Sequence, residues 1–149
     1  MNDVDFMRIA YEEAKKAFQE NEVPVGAVIV KDGRVISVGH NHRESKNDIT
    51  SHAEIEAIKN ASEILGSWKL SGCTLFVTLE PCLMCAGAIL QSRLSRVVFG
   101  AKDNEDGAII SNYYVFDSPT KLERPLVSVG IMENECSLLI REFFTNKRK

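Results

Sequence analysis

Two short segments hold the residue types that can do chemistry. Leu79-Glu80-Pro81-Cys82-Leu83-Met84-Cys85 sets two cysteines three apart, and His52-Ala53-Glu54 sets a histidine two residues before a carboxylate. One imidazole and two thiolates can supply three zinc ligands. Three protein ligands leave a fourth position for water, which separates a catalytic zinc from a closed structural one. Glu54 is then placed to move protons for that water without binding the metal.

The spacing also constrains local structure. Pro81 fits the first position of a helix, where its missing N–H costs nothing. Cys82 and Cys85 then fall one turn apart on one helical face. A helix start lowers thiol pKa and so favours the thiolate that zinc needs. His52 and Glu54 on a regular helix would point about 200° apart. Ser51 or His52 is therefore expected at the cap, outside helical geometry, so that both side chains reach one cavity. Three other readings of the cysteines stand beside this one. Cys-x-x-Cys can be a thioredoxin-like redox pair, although that motif usually follows the first strand of its fold. A structural zinc would need a fourth ligand, for which Cys73, Cys136, His40 and His42 are the candidates. The third is a pair of buried, inert thiols.

His52-Ala53-Glu54 with Pro81-Cys82-Leu83-Met84-Cys85 resembles the His-x-Glu and Pro-Cys-x-x-Cys signature of the zinc nucleobase deaminases. Within that superfamily the chain most resembles the bacterial tRNA adenosine deaminases, which convert the wobble adenosine of a tRNA anticodon to inosine. The resembling segments are Glu22 to Val28, Gly39-His40-Asn41, His52 to Ile58, Thr78 to Ala88, Ser92-Arg93 and Val97 to Ala101. The resemblance weakens after Asp106. It implies one zinc per chain on His52, Cys82 and Cys85, with Glu54 as general acid and base. It further implies that Asn41 hydrogen-bonds the purine, and that Val25, the Ala53 backbone and the Glu80 region line the base pocket. Asp103 matches an aspartate near the ribose, and Phe143 and Phe144 match aromatic positions on a C-terminal helix that lies along the RNA. Ordinary helix packing is the alternative for Phe143, and a loop-capping role the alternative for Asn41. The family is also homodimeric, with tRNA touching both subunits, and the apolar run Leu83 to Leu90 with Gln91-Ser92-Arg93 is the candidate interface element.

The chain departs from the family pattern in two places. Gly107-Ala108-Ile109-Ile110-Ser111 stands where many relatives have Gly-Ala-Ala/Gly, and Thr120 to Pro125 has no counterpart of their Asn-His. A deaminase of a free base or nucleoside (guanine, cytosine or cytidine) would use the same metal ligands and is the alternative enzyme. A catalytically dead zinc-stabilised module is the non-enzyme alternative, against which Glu54 argues.

Length and composition bound the rest. A chain of 149 residues with 44% hydrophobic and 26% charged residues is expected to form one globular domain over residues 1–149. No apolar run approaches the ~20 residues needed to span a bilayer, and the start of the chain lacks a signal-peptide pattern. Four cysteines, two of them in the candidate metal site, do not make a disulfide scaffold, so a reducing cytoplasm is the expected setting. The net charge of −3 gives no global basic character for nucleic acid. The local basic cluster is Arg141 with the tail Lys147-Arg148-Lys149, which is either a phosphate-binding patch or a solvated end.

The elements that must position these residues follow from periodicity. Val4 to Phe18 reads as an amphipathic helix, with Phe6, Ile9, Ala10, Ala14 and Phe18 at helical spacing. Val23 to Val30 reads as a strand, Asp32-Gly33 as a hairpin turn and Arg34 to Val38 as the partner strand. Asn41 to Thr50 is loop-like, and His52 to Ile64 is a helix. Strands follow at Cys73 to Leu79, Arg96 to Gly100 and Leu126 to Val129, with helices at Leu83 to Leu90 and Asn134 to Phe144. Lys102 to Ser118 fits no period. The β-α-β order implies parallel pairing through crossover helices. The predicted class is a three-layer α/β/α domain with a mixed five-stranded sheet, and the resemblance implies the cytidine deaminase-like fold.

Overall fold

Side chains on a strand alternate between the two faces of a sheet, and here each face buries its own set of helices. The computed structural model describes residues 1–147. Its strands are β1 (Gly26–Lys31), β2 (Arg34–His40), β3 (Cys73–Leu79), β4 (Arg96–Ala101) and β5 (Leu126–Val129), and its helices α1 (Asp3–Gln19), α2 (Ala53–Leu65), α3 (Leu83–Gln91) and α4 (Glu133–Lys147). Strand order is β2-β1-β3-β4-β5. β1 is antiparallel to β2 and β3, whereas β3–β4 and β4–β5 are parallel. The result is the mixed, three-layer α/β/α sheet that the sequence predicts.

Ala27 and Ile29, Leu75 and Val77, and Val97 and Phe99 face α2 and α3, where Ala53, Ala57, Ala61, Ala86, Ile89 and Leu90 complete one core. The intervening Val28, Val30, Phe76 and Val98 face Phe6, Met7 and Ala10 of α1. Each large side chain fully withdrawn from water, such as Phe76 or Phe99, contributes about 1.5–3 kcal/mol. α4 lies on the α1 side, where Phe143 meets Phe18 edge-on at 5.8 Å between ring centroids. α1 opens on a capping box: Asp5 N–H donates to Asn2 Oδ1 at 3.0 Å, and Asn2 N–H donates to Asp5 Oδ2 at 2.9 Å.

Several boundaries differ from the periodicity reading. β1 begins at Gly26, not Val23. Pro24 has no N–H to give a sheet, and the carbonyls of Val23 and Val25 instead accept from the Asn41 side chain and backbone. β2 runs on to His40, and α4 reaches Lys147. The turn at Asp32-Gly33 has φ of 52° and 74°, the paired positive values of a two-residue hairpin. The β4–β5 crossover holds only a 3-10 turn at Val115–Asp117. Its Ala108, Ile109 and Phe116 still enter the core beside α3, so apolar insertion replaces the expected crossover helix.

Two glycines let helices lie directly on the sheet. A Cβ on Gly26 would come 1.9 Å from the Ala10 carbonyl oxygen of α1, and one on Gly39 would come 2.6 Å from the Ala53 oxygen and 2.8 Å from the Ala57 nitrogen of α2. These are backbone atoms of helices whose buried faces are packed on the sheet, so they cannot yield without lifting the helix off it. Gly39→Ala is therefore expected to lower stability by about 1–3 kcal/mol, read as a lower midpoint in chemical denaturation with an unchanged slope.

Candidate active site

The N-termini of α2 and α3 meet at one end of the sheet. His52 is the N-cap of α2, with φ −80° and ψ 157°. Cys82 is the N-cap of α3, with φ −75° and ψ 178°. The expectation of His52 at a cap holds. Pro81 precedes the cap and is not the first helical residue, because Cys82 takes the extended cap conformation and the helix starts at Leu83. Extended cap geometry turns the His52 and Cys82 side chains out of their helices, and Cys85, at the third helical position, turns back towards them.

His52 Nδ1 lies 3.6 Å from both Cys82 Sγ and Cys85 Sγ. Metal–sulfur and metal–nitrogen bonds of about 2.3 and 2.0 Å at a tetrahedral angle place those atoms about 3.5 Å apart. The donor set and its spacing therefore fit a tetrahedral metal with three protein ligands. Hydrogen bonding from Cys85 pulls the Cys82 thiol down to about 4, and that same bond, with burial, pushes the Cys85 thiol up. Of the candidates for a fourth ligand, Cys73 is buried in the α2–α3 core and Cys136 lies under Gly100, while His40 and His42 belong to a separate group. Among the described residues the cluster stays at three donors. Both thiols stand at the same distance from an imidazole, which favours a metal site over a redox pair.

Glu54 is 4% exposed. Burial raises its carboxyl to about 7. It lines, with His52 and Cys82, a cavity of about 970 Å³. Val25, Asn41, Glu80, Asp103 and Phe144 reach the same cavity, as the resemblance implies. One expected side chain, Phe143, does not. Ala53 is fully buried between His52 and Glu54, with its carbonyl at the Gly39 backbone. Phe143 is buried in the seam between α1 and α4, held edge-on by Phe18, so the RNA-facing assignment is corrected in favour of helix packing. Neighbouring Phe144, rotated about 100° around the helix, takes the cavity side.

Asn41 makes the loop-capping bond and also lines the cavity. Its Oδ1 accepts from Arg43 N–H at 3.0 Å, a loop-capping bond, and its Nδ2 donates to the Val23 carbonyl at 3.3 Å. The amide retains one further N–H and a second lone pair on its oxygen. Glu80 has a role that sequence reasoning missed. Its carboxylate accepts from the backbone N–H groups of Asp103, Ile109, Ile110 and Ser111 and from the Ser111 hydroxyl, over 2.6–3.1 Å. Burial opposes its ionisation, but the Ser111 and backbone donors outweigh burial and hold the pKa below the ordinary value. A Cβ on Gly107 would sit 2.4 Å from the Glu80 carboxyl carbon, so the divergent 107–111 loop wraps this carboxylate. Arg43, Ile140 and Thr145 also line the cavity and were missed. Arg43 alone had a signal, its position two residues beyond Asn41. Arg141 lines the cavity, whereas Arg148 and Lys149 lie outside the described residues.

A family model described as MafB19-like deaminase matches residues 1–148. The tRNA-specific adenosine deaminases of Agrobacterium fabrum and Aquifex aeolicus are each 46% identical to this chain over 143 residues, covering 96% of it and 94% of themselves. The chain belongs to the family of tRNA-specific adenosine deaminases. A structure solved in work on A-to-I editing by tRNA:A34 deaminases superimposes on this deaminase with a TM-score of 0.89 at 45% identity, covering 91% of this chain and 98% of that one. A guanine deaminase from Bacillus subtilis is more distant, with a TM-score of 0.68 at 32% identity, covering 100% of this chain and 96% of that one. The site thus lies in a deaminase of cytidine deaminase-like fold.

Replacing one donor removes a metal ligand and leaves the other two unbalanced. Cys82→Ala is expected to lose the bound metal and thermal stability together, since metal binding free energy couples to folding. Metal analysis beside a melting curve checks this.

Proposed function

We propose that this enzyme hydrolyses adenosine to inosine at the wobble position of a tRNA anticodon, with one zinc per chain on His52, Cys82 and Cys85. The observation that carries the reading is the buried Glu54 beside a three-donor cluster, in a chain 46% identical to tRNA-specific adenosine deaminases over nearly its full length. Zinc held there supplies the Lewis acidity that makes a hydroxide nucleophile available near neutral pH.

The protein's own residues do the rest. Glu54, titrating near 7, can both accept and return a proton at working pH. It takes a proton from the attacking water and delivers it to the ring nitrogen beside the reacting carbon. It then takes the second proton from the hydroxyl now on that carbon and gives it to the departing amine, so that one water is consumed and one ammonia released. Acid–base help of this kind is worth ~10²–10⁴ in rate. The Asn41 amide offers the purine a donor and an acceptor. Val25 packs against the base, and Glu80 keeps the 103–111 segment at the cavity wall. An anticodon loop presents unstacked bases, so an extruded adenosine enters at low cost. Phe144 can stack on a neighbouring base, at roughly 1–3 kcal/mol. Arg43, Lys102 and Arg141 can hold phosphates.

The enzyme works in our reading as a cytoplasmic homodimer. α3 supports this: Leu83 is 54% exposed, Met84, Gly87 and Ala88 are partly exposed beside it, and a Cβ on Gly87 meets nothing within 4 Å. These positions form one apolar stripe at helical spacing next to Cys82 and Cys85. Light scattering at micromolar concentration should give twice the chain mass, and a one-chain mass would remove the dimer from the reading.

Glu54→Gln should keep the metal and the fold and lose nearly all turnover. Activity within a few-fold of the parent would show that Glu54 is not the proton carrier.

Substrate class is decided by offering tRNA, free adenosine, guanine, cytosine and cytidine in parallel. Inosine should form in tRNA, with little action on free bases. Phe144→Ala and Arg141→Ala should each raise KM for tRNA, and loss of Arg141 should flatten the salt dependence of binding by about 0.7–0.9 log units of slope. Rapid turnover of guanine or cytosine with tRNA ignored would replace this reading by the free-base one.

A further inference from the structure

A second set of metal-ligating side chains converges away from the active site. Glu20 caps the end of α1, His40 ends β2, and His42 lies two residues on; their donor atoms all lie within 4.8 Å of one another. Glu20 Oε1 is 3.0 Å from His40 Nε2 and 3.3 Å from His42 Nε2. The other nitrogen of each ring faces a different carboxylate. His40 Nδ1 is 3.0 Å from Glu13 Oε1, and His42 Nδ1 is 2.7 Å from Glu56 Oε2.

Those outer carboxylates already have cations of their own. Lys16 lies 2.6 Å from Glu13 and Lys46 3.4 Å from Glu56. Among the described residues no lysine or arginine lies within 4 Å of Glu20. Glu13 and Glu56 each face an Nδ1, and Glu20 faces both Nε2 atoms, so rings that donate Nδ1–H outward would present both Nε2 atoms to a metal. A carboxylate bonded to the far nitrogen of an imidazole is the arrangement that orients metal-binding histidines and raises their basicity. In that state two nitrogens and a carboxylate oxygen, all within 4.8 Å of one another, would form a three-donor set for a cation. Donors bound to zinc at about 2.0–2.2 Å stand roughly 2.8–3.6 Å apart, for angles from a right angle to tetrahedral. Both measured separations fall in that window.

We propose that Glu20, His40 and His42 form a second zinc site, built from two imidazoles and one carboxylate, with its remaining coordination positions open to water. Imidazole with carboxylate suits zinc and its borderline neighbours better than magnesium or calcium. The site joins the end of α1 to the end of β2. It also grips the chain on both sides of Asn41, the amide at the wall of the catalytic cavity. Two protons, one on each ring, are the competing source of positive charge.

Zinc itself is the probe. Enzyme as purified, dialysed against micromolar free zinc without prior stripping, should hold two equivalents per chain. Glu20→Gln and His42→Gln should each hold one and keep deaminase activity, with affinity for the second equivalent at least tenfold weaker. Glu20 is exposed and caps a helix end, so its variant should fold even where a histidine variant does not. Nitrogen NMR should show the Nε2 resonances of His40 and His42 moving to metal-bound values as the second equivalent enters. One equivalent in the parent, equal second-site affinity in parent and Glu20→Gln, or ring resonances that stay those of doubly protonated imidazoles on adding zinc would each overturn the proposal.

Discussion

Two helix N-termini set side by side repel, since each carries roughly half a positive charge on its free N–H groups. α2 and α3 nevertheless lie on one face of the sheet with their N-termini adjacent, His52 and Cys82 serving as their caps. The scaffold resists that repulsion in named ways. α2 lies on β2 through the space that Gly39 leaves, and α3 follows β3 after only three residues, so neither helix can draw back without leaving the sheet. Negative charge resolves what geometry cannot. The Cys82 thiol, drawn down to about 4, puts a thiolate at the point where both dipoles are positive. The metal-binding donor set and the convergence of the helices are thus one arrangement, since the same dipoles that would push the tips apart favour the anionic ligands between them.

Two buried glutamates near this point show how environment divides one side-chain chemistry into two roles. Glu54 and Glu80 are 4% and 2% exposed. Glu54 loses its water with little to replace it, and burial lifts it to about 7. Glu80 loses its water too but gains four backbone N–H groups and a hydroxyl, so it stays ionised. A carboxylate that must exchange protons is left short of donors, and one that must fix a loop is saturated with them. Glu80 thereby does for the 103–111 segment what regular secondary structure does elsewhere. The segment lacks periodicity because its backbone donors are spent on a side chain, not on a helix or sheet ladder.

The same distinction explains what the sequence made legible. His52, Glu54, Cys82 and Cys85 announce themselves because metal chemistry needs fixed residue types at short spacing, and β3, rich in Thr, Val and Phe, and β5 have the bounds read from the sequence. Partners distant in sequence leave no such trace. Phe143 and Phe144 are the same residue type side by side, and only the position of Phe18, far back in α1, decides which one is buried. Ala53 sits between two cavity residues yet faces β2, because the first helical turn points its carbonyl at Gly39. Val23 and Val25 look like strand residues until Asn41 takes their carbonyls. The pairs Glu13–His40 and Glu20–His42 join residues 27 and 22 apart, and no local pattern in the sequence brings them together.

Net charge misleads for a related reason. A total of −3 is an unpromising figure for an enzyme that binds RNA. Yet Glu13, Glu22, Glu54 and Glu80 are all buried, and three of them are consumed by internal partners: Glu22 by the N–H groups of Glu44 and Ser45, Glu13 by His40 and Lys16, and Glu80 by its loop. Around the cavity Asp103 is partly spent as well, on the N–H groups of Glu105 and Asp106. Arg43, Lys102 and Arg141 stand at the same cavity with long, mobile side chains that can follow a phosphate. An approaching polyanion responds to the charges it can reach, not to those locked inside the fold. What an approaching polyanion meets therefore depends on where the acids are buried, and one of them, Glu80, is spent on holding the 103–111 wall of the site, while Glu105 and Asp106 stay exposed at the cavity.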